Sequence, residues 1–177
     1  MYYRITGDAE SFANFIMKDF SLDYAREFDG RSHKADWASL HFELTDPSDN
    51  RPIPEIFTDY FLVCSKRLGD KLKDLCGDVA EFLPCTVGCD LLEYYIVNIV
   101  LIKDNVDYDK SDFVKFPTGR IMLFNKISFT EEITAPMFRI SDLKYAFFFC
   151  TDEVKNIIEE LDIRGAYFSN ELFDTNN

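Results

Sequence analysis

The chain is poor in the residue types that carry chemistry. It holds two histidines, one tryptophan and seven glycines in 177 residues. So few glycines cannot build several phosphate cradles, and no Walker A, G-x-G-x-x-G or G-x-S-x-G pattern occurs. No run approaches the roughly 18–20 apolar residues needed to cross a bilayer. The start, MYYRITGDAESF, has no basic region leading into an apolar stretch, so no secretory leader is expected and the chain reads as cytoplasmic. Bases are scarce as well: 19 Lys and Arg against 32 Asp and Glu give a net charge of −13. That excess repels nucleic acid and anionic membranes and favours a basic partner, although it also keeps a Phe-rich protein soluble. The one cluster of bases, Lys66-Arg67 with Lys71 and Lys73, reads as the exposed face of a helix.

Metal and nucleophile candidates fail on spacing. Five cysteines, an odd number, read as reduced thiols in a cytosolic chain. Cys85-x3-Cys89, with Cys76 nearby, is the sharpest zinc candidate, but no second close Cys/His pair accompanies it and His33 and His41 lie far off. The acids Asp104, Asp107, Asp109 and Asp112 invite a calcium loop. Counted from Asp107, however, the sixth position is Asp112 where glycine is required, and the twelfth is Thr118 where glutamate is required. No metal or other cofactor is therefore expected. A Cys64–His41 or Cys150–His41 pair could arise in space, yet both cysteines end apolar strands, where thiols are inert. Carboxylate pairs such as Glu131-Glu132 and Glu159-Glu160 are too common here to specify glycosidase chemistry. These residues describe a non-catalytic binding domain.

What is abundant is core. Apolar residues make up 47% and aromatics 16%, enough for one sizeable domain. Met137 to Ser169 spells a strand (Tyr145 to Phe149), a helix entered at Thr151 and a second strand from Ala166. Val154, Ile157, Ile158 and Leu161 form the helix's apolar stripe, and Arg164-Gly165 closes it. Tyr60 to Val63, Cys64-Ser65, the stripe Leu68, Leu72 and Leu75, then Gly77 and a strand from Val79 to Pro84 repeat the same order. Either an internal repeat or a coincidence of two common α/β pieces accounts for this. The expected fold is α+β (mixed α/β): a single domain with a central, mostly antiparallel sheet and two similar strand–helix–strand units.

Elsewhere the pattern predicts a first strand at Tyr2 to Thr6 and a helix capped by Asp8 with Phe12, Phe15, Ile16 and Phe20 on its stripe. Ser21 to Asp36 reads as an aperiodic connection, mobile around Asp29-Gly30. Strands follow at Trp37 to Leu44, with Trp37 in the core, at Leu91 to Ile102 with a bend near Asn98, at Arg120 to Asn125 and at Ile127 to Ile133. Asp46 to Pro54 and Phe116 to Gly119 read as turns, and the end of the tail as frayed.

The order Tyr94 to Val100, Val106-Asp107-Tyr108-Asp109-Lys110-Ser111, Met137 to Ile140, Phe148-Phe149-Cys150-Thr151-Asp152-Glu153-Val154-Lys155 and Ile163-Arg164-Gly165-Ala166-Tyr167-Phe168 resembles a bacterial immunity-protein family. It is the eleventh immunity family catalogued in polymorphic toxin systems, earlier a domain of unknown function. Val63 to Leu68 and Glu81 to Pro84 also fit its pattern. The resemblance covers residues 37–169, leaving 1–36 as an N-terminal strand, helix and loop and 170–177 as a tail. It implies a cytoplasmic antitoxin, with no catalysis of its own, that neutralises a cognate toxin domain delivered by a contact-dependent or type VI secretion route. Many such toxins are nucleases, and an acidic inhibitor in a 1:1 complex can imitate the phosphates that a basic nuclease holds. No nucleic acid or membrane partner is implied. Asp107, Asp109 and Ser111 match the family pattern and so read as a structural turn. Partner-reading acids are expected where the pattern is loose or the acids are exposed: Asp19, Asp23, Glu27, Asp29, Asp36, Asp46, Asp49, Asp104, Asp112, Glu131 and Glu132. Two other classes stay open: an enzymatic immunity factor that reverses a toxin's modification, and an acidic adaptor with no toxin neighbour.

Overall fold

The computed structural model describes residues 1–145 and 147–173. In chain order the elements are β1 (Tyr2–Gly7), β2 (Phe15–Met17), α1 (Leu22–Arg26), β3 (Leu40–Leu44), β4 (Ile56–Thr58), β5 (Leu62–Ser65), α2 (Lys66–Cys76), β6 (Ala80–Val87), β7 (Leu92–Ile99), β8 (Ile102–Lys103), β9 (Asp112–Lys115), β10 (Ile121–Lys126), β11 (Met137–Ile140), β12 (Phe148–Thr151), α3 (Asp152–Glu160) and β13 (Ala166–Ser169). This is a single α+β domain. Its strands divide between two large sheets, ordered β13-β1-β12-β11-β8 and β2-β3-β6-β7-β5-β4, with β9 and β10 forming a separate hairpin. All pairings are antiparallel except β3 with β6 and β8 with β11.

The two strand–helix–strand units are a true repeat, and the registers show it residue by residue. In the first, β5 and β6 flank β7; in the second, β12 and β13 flank β1. Cys64 faces Tyr95 as Cys150 faces Tyr3, and Ser65 faces Tyr94 as Thr151 faces Tyr2. Ala80 faces Ile99 as Ala166 faces Gly7. Even the linking hydrogen bonds recur: Val100 N donates to Val79 O at 3.0 Å, and Asp8 N to Gly165 O at 2.8 Å. The central strand follows its unit in the first copy, whereas in the second it comes from the start of the chain. Each copy hangs a tyrosine under its helix. Tyr95 donates to Asp70 at 3.0 Å and Tyr3 to Asp152 at 2.9 Å, with Lys73 and Lys155 over the respective rings.

The helices form for the reasons their sequences give. Ser65 caps α2 by accepting from Leu68 N, and Leu68, Leu72 and Cys76 are buried between helix and sheets. α3 puts Val154 and Ile158 into the same core. Its expected cap is absent: Thr151 turns its hydroxyl to Pro136 O at 3.5 Å, so Asp152 and Glu153 in the first turn are left to complement the helix dipole. α3 ends at Glu160 and Asp162 takes the left-handed conformation, which moves the expected stop at Arg164-Gly165 forward.

Other expectations are corrected. The segment after Asp8 is no helix. Asp8 Oδ1 accepts from Ser11 N in a turn, and Phe15 and Met17 alternate with exposed Ile16 in β2 against β3, a period of two in place of 3.6. The helix lies instead in the supposed connection, where Ser21 caps α1. β6 continues through Pro84 to Val87. Pro84 tolerates this because β3 begins pairing only at Cys85, and its carbonyl on that side accepts from Trp37 Nε1 at 2.8 Å. Trp37 itself precedes β3 and is only half-buried. β7 runs through Asn98 with no break in its pairing to β6 and stops at Ile99, and the chain re-enters pairing in the other sheet as β8. Residues 127–133 make isolated bridges only, while the acidic loop contains β9. The strand foreseen at Tyr145 to Phe149 starts at Phe148, with Ala146 outside the described residues, as is the tail beyond Phe173.

Candidate functional site

The eleven candidate acids fall into three groups on the surface and do not converge on one point. Asp104, Asp112, Glu131 and Glu132 stand together, because the loops that carry them are stitched side by side. Thr130 N donates to Asn105 O at 2.9 Å, Asn105 Nδ2 to Glu131 O at 3.2 Å, and Ser128 N to Ser111 Oγ at 3.0 Å. Glu131 and Glu132 border a cleft of about 750 Å³ that also takes in Tyr2, Lys110, Thr130 and Asp152. Asp112 opens β9 and accepts from Asn125 at 3.2 Å. Asp142, which the sequence did not flag, joins this group by accepting from Tyr108 at 2.8 Å. Burial, that bond and the nearby charges of Asp142 and Asp104 push the Tyr108 phenol up to about 12.

Asp19, Asp23, Glu27, Asp29 and Asp36 lie on the segment that covers the outer face of the β2–β4 sheet, where Ala25 and Phe28 are buried against Phe42 and Phe61. Asp46 and Asp49 sit beyond β3. The Ser48 hydroxyl and N–H hold Asp46 below the usual carboxylate range. The Arg51 fork holds Asp49 well below it, at 2.7 and 2.9 Å. Asp29 loses ground to burial, but bonds from Arg31 at 3.0 and 3.1 Å win and leave its carboxyl low. Asp23 pairs with Arg26 at 3.3 Å. Among the described residues, Asp19, Glu27, Asp36, Asp46, Asp104, Asp112, Glu131 and Glu132 have no base within ion-pair distance, so their charge faces outward.

The segment expected to be mobile at Asp29-Gly30 is instead held down by buried polar groups. Arg139, 3% exposed, donates to Phe28 O and to Lys144 O, and Asn98 Nδ2 donates to Arg31 O at 2.8 Å. Glu81, 5% exposed, accepts from the Ser32 hydroxyl, from His33 N at 2.9 Å and from Asn98 Nδ2 at 3.0 Å. Burial lowers the Arg139 guanidinium to about 10. A single Glu inside an apolar strand and a lone Arg in MFRI were the visible signals, but which loop they hold cannot be read from their spacing.

The thiols and imidazoles are placed for structure. His41 Nδ1 lies 2.9 Å from Thr86 Oγ1, and His33 stacks on Phe28 at 4.3 Å. Cys64 on β5 is three strands from His41 on β3, roughly 14 Å at the usual ~4.8 Å spacing. Cys150 is in the other sheet. Burial pushes the Cys76 and Cys85 thiols up to about 12 and those of Cys64 and Cys150 higher still. Only Cys89 is exposed. A thiol reagent added to the native protein should therefore titrate one group quickly and the other four only after unfolding. Two fast thiols would break this placement. Among the described residues no cluster of His, Cys, Asp or Glu has metal-site geometry, and no helix is long and apolar enough to cross a membrane. No model of a known protein family matches the chain, and no curated protein matches it either.

Proposed function

We propose that the chain is a cytoplasmic immunity protein that binds a cognate secreted toxin domain, a basic nuclease, and occludes its active or substrate-binding site without catalysis. The observation that supports this most is the pairing of a −13 charge with outward-facing acids in three surface groups. A nuclease is basic because it must hold phosphate, so an acidic surface competes for the same groups. Long-range attraction speeds capture, which matters when the toxin must be stopped before it cuts. Eight of the candidate acids make no ion pair among the described residues, and steering depends on that kind of uncompensated charge.

The test is coexpression with the basic domain encoded beside it, followed by stopped-flow binding. Changing Asp104, Asp112, Glu131 and Glu132 to lysine should lower the association rate at least tenfold at low salt and flatten its salt dependence, with the dissociation rate much less affected. The reading fails if no neighbouring domain is toxic, or if the quadruple variant binds as fast as the parent. Protection lost in His41→Ala with binding intact would favour an enzymatic immunity factor instead.

A further inference from the structure

We infer that the β9–β10 hairpin is the arm of a two-fold dimer, each copy laying the hairpin's apolar outer face on the acidic surface of the other. The hairpin is a two-stranded sheet of its own, so among the described residues both of its outer edges lack a strand partner. Phe113 and Phe124 turn inward, where Phe124 is buried in the third core cluster. Val114 and Leu123 face each other across the strands and point the other way, at 40% and 44% exposure, with Phe116 and Met122 beside them at 47% and 49%. The remaining exposed apolar residues belong to several different elements. Four large apolar side chains gathered on one projecting hairpin form the kind of patch that soluble proteins cover.

Charge says what covers it. Residues 112–126 hold three bases and one acid, whereas the rest of the chain holds 16 bases and 31 acids. A basic toxin would be repelled by Lys115 and Arg120, and an anionic membrane would have to approach the acidic body. A second copy brings both an acidic surface and a hairpin of its own. One hairpin face is small beside the ~800 Å² per partner of a stable interface. A closed two-fold arrangement forms the contact twice, once in each direction, and leaves no hairpin free to propagate a fibre. The inference does not rest on the toxin reading, since the hairpin's exposed apolar side chains and its bases carry it whatever else the acidic surface binds.

Sedimentation velocity on the full chain tests it. A dimer is expected at low salt, with a dissociation constant that rises as salt screens the hairpin's bases. Phe116→Ser with Leu123→Ser removes only exposed side chains and should raise that constant at least about 100-fold while leaving unchanged the unfolding midpoint measured at a concentration where the parent is also monomeric. Lys115→Glu with Arg120→Glu should raise it as well. A parent chain that is monomeric at every concentration, or a dimer that neither variant weakens, overturns the inference. A monomer that binds phosphatidylserine vesicles through the same residues also overturns it, assigning the hairpin to a lipid surface.

Discussion

Gly165→Ala should cost about 3 kcal/mol of stability or more, and Gly77→Ala only about 1–2 kcal/mol. Both glycines have positive φ, +114° at Gly165 and +49° at Gly77, so both substitutions carry a backbone penalty. What separates them is space. A Cβ on Gly165 would stand 2.4 Å from Ile56 O and 2.4 Å from Pro54 Cβ, whereas nothing lies within 4 Å of one on Gly77. The obstruction at Gly165 is backbone and proline ring, which cannot swing aside. It also sits where the second copy meets the other sheet: Arg164 O accepts from Glu55 N at 2.8 Å and Ile56 N at 3.2 Å, while Gly165 O accepts from Asp8 N of its own copy at 2.8 Å. Shifting the glycine would strain all three bonds. Urea unfolding of the two variants beside the parent measures the difference. Equal losses would mean that this junction yields, and that the closeness of the copies contributes little.

That junction shows what the sequence could and could not announce. Each strand–helix–strand unit is legible because its pattern is local: Ser65 three residues before Leu68, then Leu72 and Leu75 on the expected stripe, although Cys76 is buried more fully than Leu75. The partner of each unit is not local. Tyr94-Tyr95 and Tyr2-Tyr3 occupy the same place in the two copies, but the second pair lies at the opposite end of the chain from β12 and β13, so a repeat search along the sequence meets the units in different order. The segment from Asp8 to Phe20 misled for another reason. Its phenylalanines satisfy a helical period, yet Ala13 N is taken by Pro52 O and Thr45 N by Asn14 O, and these long-range bonds lead the segment into the short strand Phe15–Met17. Tertiary partners overrode a local preference.

The acidic surface divides along the same line. That acids would be exposed follows from composition. That Asp29 and Asp49 would be neutralised by arginines two residues on, while Asp104 and Asp112 are not, depends on turns that let Arg31 and Arg51 fold back. Tyr108 and Asp142 are 34 residues apart and meet only because the 104–112 loop packs over the start of the segment after β11. The acidic surface was therefore legible in its sign and illegible in its shape.

Glu81→Ala should destabilise the protein by about 3 kcal/mol and free the loop it holds. The carboxylate takes hydrogen bonds from the Ser32 hydroxyl, from His33 N at 2.9 Å and from Asn98 Nδ2 at 3.0 Å, and bonds to a charged acceptor are each worth more than neutral ones. Alanine leaves those donors facing apolar strand, with Asn98 Oδ1 already lacking a partner among the described residues. Burial works against the charge, but the His33, Ser32 and Asn98 donors and the Lys34 charge outweigh it, so the Glu81 carboxyl lies below its ordinary 4.5. The sign of the linkage follows: a depressed carboxyl contributes stability that is complete above pH 4.5 and is lost as pH falls through the lower folded value. The gap between parent and Glu81→Ala should therefore be constant at neutral pH and narrow in acid. Trp37, the only tryptophan, bonds Pro84 O at 2.8 Å and meets Phe28 edge-on at 6.2 Å, so its fluorescence reports on the same loop. It should shift in Glu81→Ala under native conditions and in the parent only in acid. A variant with parental stability and emission at every pH would show that the Glu81 bonds contribute little and that the loop is held by Arg139 and Asn98.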